Sequence, residues 1–306
     1  MVCGNIHHDV SKDAKIKYKM VISMSKVRIV ADSTCDLSKE LLARYDIKVI
    51  PLCVIMGEDS YFDGENITPD ELYAWADANK TTPKTAAIPF DKATEVLRPL
   101  MDAGDDIIFF GISSKMSTTC NVARIIAEDT PYERLFVIDS ENLSTGIGLQ
   151  VLRAARLASE GKSAEEIVSE IEAARSKVRA SFVVDTLTYL ARGGRCNAVT
   201  ALMANTLKLH PVISVKDGSM GVGKKLRGKL EIVLDKYVEE MTEELMLADC
   251  ERVFITHSGC SDEIIERVKS RLEALGRFDE ICVTRAGGVV SSHCGPNTLG
   301  VLYYMS

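Results

Sequence analysis

No pair of cysteines in this chain is spaced C-x-x-C, no apolar run approaches the roughly 18 residues of a membrane helix, and no basic excess is present. Each absence excludes something. The nine cysteines, at 3, 35, 53, 120, 196, 250, 260, 282 and 294, are odd in number and form no framework, which speaks against a disulfide scaffold. Reduced thiols and a cytoplasmic location are the expectation. The apolar pattern predicts no integral membrane segment, and the first 23 residues lack the continuous apolar core of a signal peptide. Lys and Arg total 37 against 44 Asp and Glu, a net charge of −7. Nucleic acid and anionic membranes need a basic face, so neither is expected as the main partner. No G-x-S-x-G elbow occurs, and "GSMGVGKK" (218–225) lacks the Walker spacing and does not lie between a strand and a helix. No internal repeat or low-complexity tract interrupts the chain.

What is present describes an α/β protein. The 306 residues are 46% apolar and 26% charged, enough for two domains. A strand-like pattern starts at "MSKVRIV". Residues 1–23 are therefore expected to be a poorly ordered extension, and Met24 is an alternative start. An N-terminal domain is expected over 24–165 and a second over 166–306. Short apolar runs at 27–31, 47–55, 106–112 and 134–139 alternate with amphipathic segments, the signature of βα units around a parallel sheet. Pro51 removes a ladder donor, so the run containing it should be an edge strand or carry a bulge. "TPDE" (68–71) and "SAEE" (163–166) are capping boxes that should open helices. After residue 177 the pattern changes. Two strands flank the Asp217-Gly218 turn, a long helix covers about 229–247, and strands at 252–259 and 280–288 bracket another helix. A second α/β domain with a partly antiparallel sheet follows.

Three strand ends in the first half run into hydroxyl-rich turns: "ADSTCDLS" (31–38), "GISSKMSTTCNVA" (111–123) and "IDSENLSTGIG" (138–148). Loops at the C-terminal ends of parallel strands line ligand crevices, and helix N-termini favour anions. For a single Ser or Thr, helix capping is the better account; three in series point to a ligand edge. "ARGGR" (191–195) is a sharp turn flanked by Arg192 and Arg195, read either as a helix C-cap with surface charge, the better account for Arg192, or as a partner or anion contact. In "SSHCGPNTLG" (291–300), His293 and Cys294 would point to opposite faces of an extended segment, which argues against a dyad. The His/Cys spacing supports no metal site.

These segments together resemble the DegV family of bacterial fatty-acid-binding proteins, from about Lys26 onward. "VRIVADSTCDL" is similar to the family's opening strand and Asp-Ser-Thr turn, and "PKTAAIP" (83–89) takes the place of its Thr-Ser-Gln-Pro loop. "ISSKMSTTCNVA", "VDTLTYLARGGR" (184–195), "LKLHPVISVKDGSMGVGKKLRGK" and "GGVVSSHCGPNTLGV" follow in the family's order. The resemblance implies two domains with a ligand tunnel between them, holding a long-chain fatty acid such as palmitate, stearate or oleate. It implies that Thr85, Ser117 and His293 hold the carboxylate, with Thr118 and Ser292 as additional contacts. It also implies a non-catalytic carrier, without metal or other cofactor, that presents the acid to a fatty acid kinase. Arg192 and Arg195 are candidate docking residues for that partner. Departures from the family pattern are Ala86-Ala87 for Ser-Gln, Thr118 for Gly and Cys294 for Thr.

Two other readings stay open. One is a hydrolase or acyltransferase with Ser117 or Cys294 as nucleophile and His257 or His293 as base. The other is a sugar-phosphate binder on the helix N-termini, disfavoured by the few cationic side chains in these turns.

Overall fold

The computed structural model describes residues 26–196, Val199 and 209–306. The expected N-terminal extension lies outside the described residues.

The first half is built on β1 (Val27–Asp32), β2 (Lys48–Ile50), β6 (Asp106–Gly111) and β7 (Leu135–Asp139), a parallel sheet in the order β2-β1-β6-β7. Its central strand β6 buries Ile107, Ile108, Phe109 and Phe110 completely. An unbroken apolar run of this kind is what a strand covered on both faces requires. The run 47–55, expected as one strand, is two. Pro51 ends β2 at the edge of the parallel sheet. The chain then enters a separate antiparallel sheet of β3 (Cys53–Met56), β4 (Asp59–Phe62) and β5 (Lys84–Ala86). Without an N–H, Pro51 cannot continue the ladder, and the strand leaves its sheet there.

Helices α1 (Lys39–Arg44), α2 (Pro69–Asn79), α3 (Phe90–Asp102), α4 (Thr119–Asp129), α5 (Thr145–Ser159) and α6 (Ala164–Ala174) belong to this half in sequence. Both capping boxes form: Thr68 with Glu71 opens α2, and Ser163 with Glu166 opens α6. Helix α5 is buried on almost every face along residues 145–152 because it packs on β1 and β6 and also on strands of the next sheet.

That sheet has six strands in the order β10-β9-β8-β13-β11-β12: β8 (Val178–Val183), β9 (Leu209–Lys216), β10 (Ser219–Arg227), β11 (Ala248–His257), β12 (Glu280–Arg285) and β13 (Leu299–Met305). Only the β11–β12 pair is parallel, so the sheet is mostly antiparallel. The hairpin at Asp217-Gly218 forms as expected, with both residues at positive φ. Helices α7 (Thr188–Gly193), α8 (Leu230–Met246), α9 (Asp262–Ala274) and α10 (Gly288–Cys294) complete the order.

Candidate functional site

Residue Thr85 sits on β5, held in register opposite Val54 of β3. His293 lies in the last turn of α10, 208 residues further on. Their side chains meet, with Thr85 Oγ1 and His293 Nε2 2.8 Å apart. Both border a cavity of about 490 Å³, within the roughly 300–1,000 Å³ typical of small-molecule sites. Its walls are mainly apolar, from Leu52, Ile112, Met116, Leu143, Met220 and Val290; Ser117, Thr118 and Arg195 add polar groups. Ser117 lies in the turn between β6 and α4. Its Oγ is 3.0 Å from Thr119 Oγ1 and accepts a weak bond from Thr119 N–H.

The imidazole of His293 is pushed down to about 4, first by burial and then by the Arg195 charge, so the ring is neutral at physiological pH. Its Nδ1 is buried without a hydrogen-bond partner. That nitrogen faces the backbone of Gly193, where an added Cβ would lie 2.3 Å away. Helix α7 can therefore end against the ring only because residue 193 has no side chain.

Several expectations need correcting. The segment around His293 is helical, not extended, so the opposite-faces argument does not apply. Consecutive helical side chains diverge by about 100°, and both His293 and Cys294 border the cavity. They still form no reactive pair: burial pushes the Cys294 thiol up to about 12, and Nε2 of His293 is engaged by Thr85. Ser292 does not border the cavity. It is buried, and its hydroxyl donates back to Gly288 O at 2.7 Å within α10. Arg195 lies on the cavity lining, its guanidinium donating to Gly193 O, whereas Arg192 is exposed and does not border the cavity. Lys115 also borders the cavity and donates to Asp217 O at the hairpin tip. Cationic groups are thus less scarce here than the turns suggested.

The three hydroxyl-rich turns do not share one task. The turn at 111–123 lines the cavity, and 138–148 contributes only Leu143. In 31–38, Thr34 bonds Asp32 and Ser33 bonds Asp63. The missed contributor is Met220 of the hairpin arm. Its strand was legible, but its return onto the first half was not. Gly218 O accepts from Ser113 Oγ at 2.7 Å and fixes that return.

Ser117 has Thr119, not a histidine, as its partner. His257 borders a smaller adjoining space with Cys294, and burial lowers its imidazole below the ordinary range. Among the described residues no group of three or more metal-ligating side chains occurs. Of the described cysteines only Cys250 is exposed. Among these described cysteines, iodoacetamide at pH 7.5 is expected to alkylate Cys250 first and leave Cys294 intact in the folded chain, read by peptide mass mapping. Rapid, stoichiometric labelling of Cys294 would revive the nucleophile reading.

A family model described as an uncharacterised protein of the DegV family matches residues 26–306. The chain belongs to the DegV family. A DegV domain-containing protein of Clostridium perfringens is 32% identical over 280 residues, covering 92% of this chain and 99% of the relative. A fatty-acid-binding DegV family protein of Thermus thermophilus superposes with a TM-score of 0.85 at 30% identity, covering 92% of this chain and all of that one. A stearic-acid-binding protein of Eubacterium ventriosum gives 0.79 at 30% identity, covering 91% and 98%. Solved DegV neighbours therefore carry fatty acids, and this DegV chain shares their fold.

Proposed function

We propose that this chain binds a long-chain fatty acid in the cavity and holds its carboxylate with Thr85, Ser117 and His293. The observation that carries the reading is the Thr85–His293 pair on the border of an apolar cavity. Since Nδ1 faces Gly193 with no acceptor, the proton is assigned to Nε2, which donates to Thr85 Oγ1. That leaves the Thr85 hydroxyl proton free for a carboxylate. Ser117 accepts from Thr119 and keeps its own O–H for the same purpose, while Thr118 and the Arg195 charge lie beside them. Beyond Leu143, Val290 and Cys294 a smaller apolar space continues toward Phe182 and Leu302, a path for the tail. Burial of acyl CH₂ groups at about 0.8 kcal/mol each supplies most of the affinity.

The polar end of the cavity is the accessible one: Ala86, Ser114, Lys115, Thr118 and Arg195 are all exposed. A partner enzyme can reach the carboxyl group there without extracting the tail. This supports a non-catalytic carrier that presents its ligand to a fatty acid kinase in the cytoplasm.

Native mass spectrometry of the purified chain is expected to reveal a bound acyl ligand, and the delipidated chain is expected to bind oleate or palmitate. No acyl adduct, together with no response to either acid, would overturn the reading.

A further inference from the structure

The buried carboxyl groups of Asp32, Asp36 and Asp63 border no part of the cavity. Asp32 fastens the end of β1 to the turn after β6, accepting from Ile112 N–H at 2.7 Å and from Thr34. The other two converge elsewhere. Asp36 Oδ1 accepts from Gly287 N–H at 2.8 Å, and Asp63 Oδ1 accepts from Gly288 N–H at 2.6 Å. They take up the free donors at the start of α10, the helix that carries His293.

Each is locked from behind. Ser144 donates to Asp36 Oδ2 at 2.5 Å, and Ser33 donates to Asp63 Oδ2 at 2.9 Å. The fit leaves no spare room: a Cβ on Gly287 would lie 2.9 and 3.0 Å from the two oxygens of Asp63. Asp63 also reaches the other half of the anchor. Its own N–H donates to Leu52 O at 2.9 Å, and Leu52 N–H donates to Ser33 Oγ at 3.1 Å. Leu52 immediately precedes β3, and β3 pairs with β5, the strand of Thr85. One residue is therefore bonded toward Thr85 through its backbone and toward His293 through its side chain. From Gly288 to His293 is only about 7.5 Å of helix, so a displacement of the first turn is carried to the ring.

We propose that Asp36 and Asp63 are positioning residues for the ligand anchor: they set where α10 starts and thereby hold His293 at bonding distance from Thr85. For its effect on lipid binding the inference rests on the fatty-acid reading; for the geometry of the ring it does not.

The test uses the delipidated full chain and two readouts, the ¹⁵N shifts of the His293 imidazole and oleate affinity by titration. Asp63→Ala is expected to move the His293 Nε2 resonance toward that of an unbonded ring and to weaken oleate about tenfold. In a His293→Ala background the same change is expected to cost less than about twofold, because its effect runs through the ring. Asp63→Asn keeps an acceptor for Gly288 and is expected to stay within about threefold of wild type. Gly287→Ala leaves both carboxyl groups in place but displaces the helix start, and should reproduce the imidazole shift. It guards against a poorly folded Asp63→Ala chain. An unchanged imidazole in both Asp63→Ala and Gly287→Ala, or an equal affinity loss in both backgrounds, would overturn the proposal. If the wild type takes up no oleate at all, the fatty-acid reading fails, and the imidazole shifts still decide the positioning claim.

Discussion

A chain carrying Ser117→Ala together with His293→Ala is expected to bind oleate about 100-fold more weakly than wild type. Hydrogen bonds to a charged group are worth about 1.5–3 kcal/mol each, and about 1.4 kcal/mol is tenfold in affinity. The first substitution deletes a donor to the carboxylate. The second deletes the group that orients the Thr85 hydroxyl, whose oxygen lies 2.8 Å from His293 Nε2. Both act on one carboxylate, so the effects are expected to fall short of strict additivity. Thermal stability should change little by comparison: the pair of substitutions removes the contacts of Ser117 with the Thr119 hydroxyl and N–H and the bond of His293 to Thr85, while the apolar clusters keep all their members. Isothermal titration of oleate into the delipidated chain checks this. A double variant within about threefold of wild type would mean that the carboxylate is held elsewhere.

Thermal stability is expected to fall as pH rises from about 6.5 to 8, and Asp36→Asn is expected to flatten that slope. Burial pushes the Asp36 carboxyl up to about 8, against the opposing effect of the bonds from Ser144 and Gly287, with smaller raising contributions from Asp63 and Asp32. In the unfolded chain the group ionises near pH 4. Between about pH 4 and 8 the folded chain therefore holds a proton there that the unfolded chain has released, so each pH unit removes up to about 1.4 kcal/mol. Stability from this site is complete below the unfolded value and gone above the folded one. His293 acts oppositely: pushed down to about 4, it adds stability as pH rises toward its ordinary value near 6.5. Above 6.5 that compensation is exhausted. Asp32, raised to about 6 by burial, exerts its effect at lower pH. Over 6.5–8 the loss amounts to about 2 kcal/mol, a few degrees in Tm for a chain of this size. Asn can accept from Gly287 as Asp36 does and, with the direction reversed, donate to the Ser144 hydroxyl, without titrating. Parallel melting curves for wild type and Asp36→Asn across this window would contradict the assignment.

The local signals that worked were those whose physics is local. Thr68 and Ser163 capped helices because a hydroxyl and a Glu three residues later satisfy each other's backbone donors. Asp217-Gly218 made a hairpin because both residues tolerate positive φ. Pro51 marked a strand edge, although the chain's passage into a second sheet needed the partners of β3. Thr85 and His293 were named from resemblance, and the structure brings them into contact. What could not be read was set by distant partners. "GGVVSSHC" has β-branched and serine residues that favour helix weakly. It is helical where carboxyl groups more than 200 positions earlier bind its first N–H groups. The hydroxyl turns at 31–38 and 111–123 look alike in sequence. Their tasks differ because buried aspartates engage Ser33 and Thr34, while Ser117 is left beside the cavity.

The strand order of the large sheet has a consequence for synthesis. Strand β13 lies between β8 and β11, yet it is the latest of the six in chain order. While the chain emerges from the ribosome, β8–β9–β10 can pair on one side and β11–β12 on the other, but no strand pairs the two groups until residues 299–305 are free. Until then β8 and β11 each present an unpaired edge, on strands that carry Phe182, Val253, Phe254 and Ile255. Such edges invite pairing with other chains. The sheet therefore cannot be complete until its last-made strand takes its place between β8 and β11.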